Sequence, residues 1–373
     1  MELRKAKRWH RIFILIWRVF VTGFYVKLMP AMFASFLIHA DNSFMSILAQ
    51  VQVISVSIFS VICFVTQQRS EYEIFVVIQR FIHIYKQISS KTNAKAMLGR
   101  TFVLCIILKL ILSGLGLIYE IPLIFESGVS GSLLAGVYLW LGRIYMLDCC
   151  FVGFLVIRQM YVEMAAHLAQ MIDTMRIIDA EQPHRRLTNH QRMKLLCMHA
   201  ESIDESNAIY TSLYKVTQRF YHIFRWQISF YIYYNFVIIL MQLHQFILRY
   251  FHTGYIDLLS LFSSVFKLCN LVLLIMCADA VVAKSQLPDS LDLDLICSDI
   301  DERWDVSVET FICQRKVENL EISVLGFFHL NNEFILVIIS AIMSYLFVLI
   351  QFGMTKNSVT AGHAYPHHTL NHS

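Results

Sequence analysis

Seven ionisable side chains lie inside long apolar stretches of the sequence, where a charge is costly to bury. Residues of this kind line ion paths, relay protons or bind polar ligands. Arg225 and Asp279 lie near the ends of their stretches and can instead extend to an interface with water. Arg143 and Asp148 lie deeper, and we expect them to belong to a polar cavity. The seven candidates are Lys27, Lys109, Arg143, Asp148, Arg225, Lys267 and Asp279.

A second group of candidates combines aromatic rings with hydrogen-bonding groups. Two apolar stretches carry them, and small-molecule pockets are lined in this way. An aromatic belt at a membrane surface, with ordinary hydrogen bonds between helices, would give the same composition, so both interpretations stay open. The residues are Tyr138, Trp140 and Tyr145 in one stretch and Tyr231, Tyr233, Tyr234, Asn235, Gln242 and His244 in the other.

The sequence patterns of common catalytic sites are missing from the chain. It contains no G-x-x-x-x-G-K-[ST], no H-E-x-x-H and no G-x-S-x-G, so phosphate-loop, zinc-hydrolase and serine-hydrolase chemistry have no starting point. Nine cysteines without a C-x2-C pair predict neither a zinc site nor a disulfide framework. We expect no enzyme activity, no cofactor and no bound metal, including at the histidines of the C-terminal tail.

The elements that position these residues are transmembrane helices. Hydrophobic residues make up 57% of the chain and charged residues 16%, against about 25% charged in a soluble protein. Crossing a bilayer takes about 20 mainly apolar residues, and seven stretches meet this length, although Arg18, Lys27 and Pro30 interrupt the first. They are Leu15–Ile38, Phe44–Phe64, Phe102–Phe125, Gly131–Ile157, Phe224–Leu248, Ile256–Val282 and Phe334–Phe352.

The distribution of Lys and Arg between the spans predicts the orientation. The N-terminus and the segments 67–100, 158–219 and 284–330 contain twenty-three of these residues, whereas the segments on the other side contain two, Arg249 and Lys356. Basic loops stay in the cytoplasm, so the N-terminus is predicted inside and the C-terminus outside. The basic residues are spread among loops, and the net charge is +4, so nucleic acid is not an expected partner.

Two of the cytoplasmic segments are predicted to be helical. In 158–219, methionine and leucine recur at three-to-four spacing beyond the fourth span, a turn follows near Pro183, and a second helix returns to the membrane. In 284–330, the stretch Ser307–Phe328 mixes apolar with charged residues, as an amphipathic helix does. The chain is thus predicted to be one all-α membrane domain, residues 1–373, with seven transmembrane helices and a helical cytoplasmic anchor.

The last span carries a short motif that identifies a family. Ser344-Tyr345 is followed by five hydrophobic residues and then by Gln351-Phe352. This resembles the signature at the end of insect gustatory receptors, Thr-Tyr, five hydrophobics and Gln-Phe, with Ser344 in place of threonine. Gly326-Phe327-Phe328 upstream looks like the family's approach to its last helix. The number of spans, the orientation and the long fourth-to-fifth loop also match.

The resemblance implies a ligand-gated, non-selective cation channel assembled as a homo- or heterotetramer. The last helix, residues 331–354, would line a central pore, and residues 355–373 would form an extracellular tail. Ser344, Val348 and Gln351 share one helix face. Gln351 and Phe352 would form the outer constriction, and Tyr345 would pack between helices.

The resemblance further implies a pocket for a small-molecule tastant, opening outward among the second to sixth spans. We expect Tyr138, Trp140, Tyr234 and Gln242 to line it. The chain looks more like the bitter or contact-cue branches of the family than like its sugar receptors. Its place would be the plasma membrane of sensory neuron dendrites.

Other functions fit less well. A G-protein-coupled receptor has its N-terminus outside, and the charge distribution predicts the reverse here. A secondary transporter would explain charges within the membrane, but no internal repeat is evident. The related insect odorant receptors share the fold, so an odorant-receptor-like channel subunit remains an alternative.

Overall fold

The computed structural model describes residues 43–92, 99–126, 130–180, 189–254, 256–286 and 302–362, with scattered residues between 9 and 27. Several stretches are described by their backbone only, among them 119–126, 130–146, 175–180 and 352–362. The elements are α1 (Ser43–Thr92), α2 (Arg100–Glu126), α3 (Ser130–Ala180), α4 (Asn189–Thr253), α5 (Leu258–Ser285), α6 (Glu302–Val317), β1 (Ser323–Val324), β2 (Phe328–His329) and α7 (Asn332–Gly362).

Most of these helices are longer than a bilayer requires. At 1.5 Å per residue, the 65 residues of α4 extend far beyond a hydrocarbon core of about 30 Å. As predicted, α3 continues beyond the fourth span and α4 begins well before the fifth. The segment 67–100, predicted as a loop, is instead largely helical, because α1 continues without a break to Thr92.

Four described helical segments are long and apolar enough to cross a membrane. Two other predicted spans, Phe44–Phe64 and Phe102–Phe125, lie within α1 and α2, whose side chains are described only in part. The first predicted span is helical at its described residues up to Lys27, and residues 28–42 lie outside the described part of the chain. The four segments are Leu147–Thr174, Met193–Phe251, Leu258–Ser285 and Asn332–Gln351.

The predicted amphipathic helix Ser307–Phe328 is wrong in its second half. Helix α6 ends at Val317, and an antiparallel hairpin follows, with Val324 paired to Phe328. Three residues, Leu325 to Phe327, connect the paired strands, and the first two have φ of 51° and 83°. Tight hairpin turns use positive φ, which glycine adopts freely. The turn therefore ends the helical pattern that charge and apolar spacing suggested.

The helix α4 is the centre of the fold, because it packs against α1, α3, α5, α6 and α7. One large hydrophobic core runs along it from the predicted cytoplasmic anchor around α6 into the predicted membrane region. Trp304, Phe311, Tyr161 and Tyr210 are its largest buried side chains near α6. Helix α7 packs against α4 and α5. Asn331, the residue before the helix, caps its N-terminus, because its side-chain Oδ1 accepts a hydrogen bond from the Phe334 amide at 3.0 Å.

Candidate ligand site and pore helix

Helix α7 has two chemically similar faces with different surroundings. Phe334, Ile338, Ile342 and Leu346, spaced by four residues, are 4–8% exposed and pack on the rest of the chain. The opposite face is apolar and exposed, with Leu336 at 70% and Phe347 at 60%. An exposed apolar stripe of this length marks a surface that meets lipid or another protein. The other exposed members include Val337, Met343, Ser344, Val348 and Gln351.

The five predicted residues of the pore helix fall on known positions of α7. Ser344, Val348 and Gln351 lie on the exposed face, and the Ser344 hydroxyl donates to the Ser340 carbonyl at 2.9 Å within the helix. Tyr345 lies between the two faces and is 56% exposed, with its ring at 6.0 Å from Phe236 of α4 in an edge-to-face contact.

Phe352, the fifth of these residues, is helical in its backbone, and its side chain lies outside the described part. The helix does not stop at 354 as predicted, because it continues to Gly362. The first residues of the predicted extracellular tail therefore extend the helix.

Tyr234, a predicted ligand contact, lies in a packed aromatic cluster. Its ring stacks on Phe59 of α1 with centroids 5.5 Å apart, and Leu147 and Ile238 complete the buried cluster. Tyr234 is 7% exposed, so little of its surface faces open space. This ring therefore joins α1 to α4 in the structure.

A cavity of about 240 Å³ lies beside that cluster, between α1 and α4. Tyr233, the neighbour of Tyr234 in sequence, lines it together with Ile58, Phe59 and Phe230. Tyr233 was one of the aromatic candidates in the sequence, but Tyr234 was the residue predicted to contact the ligand. Adjacent residues of a helix point about 100° apart, and only the position of α1 shows which of the two meets the cavity.

Gln242, the other predicted ligand contact whose side chain is described, forms hydrogen bonds between helices. Its Nε2 donates to the Ser263 hydroxyl at 3.3 Å, and its Oε1 accepts from the Ser264 hydroxyl at 3.2 Å. All three residues are buried, at 8% exposure or less. A small rotation of α4 against α5 would have to break these bonds. His244, two residues further along α4, is buried beside the Leu349 backbone of α7.

Tyr138 and Trp140, the remaining predicted contacts, lie on α3 where only the backbone is described. They precede Leu147, which meets Tyr234, by two to three helical turns. The fourth predicted span therefore lies beside the fifth at Leu147. The directions of the Tyr138 and Trp140 side chains stay a prediction.

The charges within the membrane region include an ion pair between helices. Lys109 of α2 lies 3.2 Å from Asp148 of α3, and its Nζ donates to the Asn270 Oδ1 of α5 at 3.0 Å. The sequence grouped Asp148 with Arg143, whose side chain lies outside the described part. Asp148 thus has a cationic partner that spacing along one helix could not reveal.

The anchor near α6 contains a buried polar network around Arg315. Its guanidinium lies 5.0 Å from the centre of the Tyr210 ring and forms an ion pair with Glu318. Gln314 donates to the Thr211 hydroxyl at 2.7 Å, which joins α6 to α4. Buried polar contacts that join two helices restrict them to a single arrangement.

Metal binding gains no support from the described residues, since no group of three or more His, Cys, Asp or Glu side chains is placed to hold an ion. The histidines of the C-terminal tail lie outside the described part of the chain.

Known proteins are similar to this chain along nearly its full length. Residues 3–356 match the model of the 7tm chemosensory receptor family. The chain is 43% identical to the gustatory receptor for bitter taste 93a of Drosophila melanogaster over 363 residues. This alignment covers 95% of this chain and 87% of that protein. Gustatory receptor 93b of the same species is 22% identical over 311 residues, 83% of this chain and 76% of that one.

A solved structure supports the same fold. The insect olfactory receptor OR5 from Machilis hrabei aligns with a TM-score of 0.57 and 11% identity, over 94% of this chain and 93% of that one. The family match over residues 3–356 and the 43% identity over nearly the whole chain lead to one assignment. The chain belongs to the 7tm chemosensory receptor family.

Proposed function

We propose that this protein is a gustatory receptor: a ligand-gated, non-selective cation channel that detects a small molecule, of bitter or aversive character. The relative at 43% identity is named for bitter taste, and the motif Ser344-Tyr345 to Gln351-Phe352 fits the same assignment. The observation that carries the proposal is the exposed apolar face of α7. In a single chain this face is exposed. In an assembly around a central pore, other subunits would cover it.

The pore would form where the α7 helices of four subunits meet, in a homo- or heterotetramer with related chains. Ser344, Val348 and Gln351 would face the axis, with Gln351 and Phe352 as the outer constriction. Hydrophobic side chains such as Val348 can close a narrow pore to ions by expelling water. The residues 331–354 are the proposed pore-lining segment, inside the longer helix α7.

The ligand would bind among α1 to α5, the second to sixth spans, from the outer side, near Tyr138, Trp140, Tyr234 and Gln242. Two contacts link that region to the pore helix: Phe236 with Tyr345 and His244 with the Leu349 backbone. A ligand that favours one arrangement of α4 would shift the position of α7 through these contacts, provided that its affinity differs between the closed and open states.

The proposed orientation places the N-terminus and the segments 158–219 and 284–330 in the cytoplasm and residues 355–373 outside. The excess of Lys and Arg in the inner segments supports it. The polar network of Arg315 and the buried Trp304 then form a cytoplasmic anchor in water, and the protein would act in the plasma membrane of sensory neuron dendrites.

Voltage-clamp recording from cells that express the chain, alone and with related subunits, tests the proposal. Bitter compounds should evoke a cation current, and Gln351→Ala should change its ion permeability ratios. Gln79→Ala serves as the control, because Gln79 is an exposed glutamine of α1, away from α7. Substrate accumulation without current would support a transporter instead. A current whose permeation is identical in Gln351→Ala would contradict the proposed pore.

A further inference from the structure

A second cavity between α1 and α4, here named the Arg225 cavity, has a volume of about 630 Å³. Arg225 of α4 lies half-buried in its lining. The cavity shares Phe230 with the smaller cavity beside Tyr234. The residues proposed for the tastant pocket and for the pore lie outside its lining, so it is a separate site.

Helices α1 and α4 are antiparallel along the Arg225 cavity. The Phe59 ring of α1 stacks on Tyr234 of α4, whereas Phe81, further along α1, meets Phe220, which comes earlier in α4. Helix α1 therefore leaves the predicted membrane region where α4 enters it. One end of the cavity belongs to the two predicted spans, and the other end belongs to the segments that follow and precede them.

The lining changes from apolar to polar between these two ends. Val61 and Ile62 of α1 and Phe230 of α4 lie within the predicted spans, whereas Glu73 and His222 lie beyond them. At 1.5 Å per residue, the distance along α1 from Ile62 to Glu73 is about 16 Å. The headgroup region of a bilayer is about 5–7 Å thick on each side. The cavity therefore spans the headgroup level and continues into the hydrocarbon.

Two charges of opposite sign line the cavity. The Arg225 Nε is enclosed by the protein and has no hydrogen-bond partner among the described residues. Glu73 lies on the α1 wall, and in the described part of the chain no ion pair joins it to Arg225. An enclosed donor without a partner is costly, so a ligand that accepts a hydrogen bond from Arg225 would remove that cost.

The two charges restrict the class of ligand. A guanidinium binds phosphate through parallel N–H groups, which makes phosphate a suitable partner for Arg225. A ligand with a phosphate as its only charge would be repelled by Glu73. A headgroup that carries both a phosphate and an ammonium group matches both walls, and acyl chains match the apolar end.

We propose that the Arg225 cavity binds one zwitterionic phospholipid, with its phosphate at Arg225 and its ammonium group at Glu73. The first carbons of the acyl chains pack on Val61 and Phe230. Trp226, which stacks on Phe230 and is 43% exposed, lies at the headgroup level, where tryptophan is enriched. The lipid belongs to the inner leaflet in the proposed orientation.

Native mass spectrometry of the detergent-purified full-length protein tests the lipid class. The probes are dioleoyl-phosphatidylethanolamine, which is zwitterionic, and dioleoyl-phosphatidylglycerol, which is anionic, added in equal amounts. We expect about threefold higher retention of the zwitterionic lipid, as one exposed charge contact provides. Glu73→Gln should remove this preference. Glu71→Gln is the matched control, because Glu71 lies two residues away and lines a different cavity. Equal retention of both lipids by the unaltered protein would overturn the zwitterionic class.

Variants at the polar end test the location. Arg225→Gln should lower the retention of both lipids about 10-fold, because it removes a charge-assisted contact to phosphate. Arg219→Gln is its control, at an exposed arginine of α4 outside the lining. His222→Trp fills the polar end from an exposed position and should have the same effect as Arg225→Gln. Unchanged retention in either of these two variants, once shown to be monodisperse, would overturn the site.

O-phosphoethanolamine distinguishes a lipid from a soluble ligand, since it carries the same two charges without acyl chains. At the concentration of the lipid it should not displace the lipid, and displacement would overturn the phospholipid in favour of a soluble ligand. The readout is retention and not current, so this inference and the proposed function fail separately. Selective retention in a protein that never conducts would support the lipid site and count against the channel. A ligand-gated current without selective retention would do the opposite.

Discussion

Helix α7 and the anchor around α6 differ in how much of their apolar surface is buried within one chain. In the anchor, Trp304, Val308 and Phe311 are 0–1% exposed, and polar contacts join α6 to α4. In α7, the apolar side chains of one face are buried while those of the other, such as Leu336 and Phe347, are uncovered. The buried side of α6 is packed tightly within one chain, whereas an apolar face along the length of α7 is left without cover from its own chain.

This difference separates folding from gating. A region whose contacts all come from its own chain keeps one arrangement. A helix held on one face can move when the contacts on its other face change, which a gate requires. Substitutions in the anchor should therefore affect the stability of the subunit, and substitutions on the exposed face of α7 should affect assembly and current.

The largest expected effect is that of Trp304→Ala. Truncation of a fully buried aromatic side chain costs about 3–5 kcal/mol of stability. Thermal unfolding of the detergent-purified protein should show this loss. Trp226→Ala, at a tryptophan that is 43% exposed on α4, should cost far less. Equal losses in both variants would mean that the anchor is no better packed than the surface of α4.

Next in size is Arg315→Met, which leaves Glu318 buried without its partner. The two side chains are 7% and 12% exposed, and breaking a buried ion pair costs about 3 kcal/mol. The double variant Arg315→Met with Glu318→Gln should recover much of the loss, because no unpaired charge remains. Unfolding midpoints of the three proteins make the comparison. A double variant less stable than the single one would show that Glu318 is stabilised by its hydrogen bonds from Thr211 and Gln314 even without Arg315.

A smaller loss of stability is expected from substitutions on the two faces of α7. Ile342→Ala, on the buried face, should lower subunit stability by about 2 kcal/mol. Phe347→Ala, at 60% exposure, should change subunit stability by less than about 0.5 kcal/mol yet reduce the fraction of tetramer. Mass photometry and thermal unfolding on the same samples separate the two quantities. A stable tetramer in Phe347→Ala would remove this residue from the subunit contacts.

The smallest effect concerns the start of α5. Burial raises the pKa of Asp257, but hydrogen bonds from Ser260 and the Arg249 guanidinium outweigh it and hold that pKa below its ordinary value. The stabilisation is therefore present at neutral pH and is lost as the pH falls below about 4 and through the lowered pKa. Unfolding at pH 6 and pH 3 should differ by about 0.5–1 kcal/mol more than in Asp257→Asn, which keeps the helix cap. Identical pH dependence would exclude this contribution.

Much of the fold was predictable because long apolar segments leave little choice in a bilayer. The helical continuation of the fourth span and the helix that precedes the fifth follow from three-to-four spacing at residues such as Met160 and Met164. The hairpin at Leu325 and Gly326 was missed because the spacing before it continued to suit a helix. The turn depends on a positive φ, which a periodic pattern does not show.

The candidate site was less predictable than the fold. Spacing along a helix fixes the direction of a side chain about its own axis, but it does not say which helix stands opposite. Tyr233 and not Tyr234 lines the cavity between α1 and α4, and Asp148 pairs with Lys109, because of where α1 and α2 lie.

The sequence by itself determined the membrane class, most of the helical segments and the family, because hydrophobic length and a local motif are properties of neighbouring residues. The tertiary structure alone decided the buried network of Arg315, the uncovered face of α7 and the Arg225 cavity between α1 and α4. Each of these joins residues far apart in the chain, and their contact depends on how helices pack and not on any local pattern.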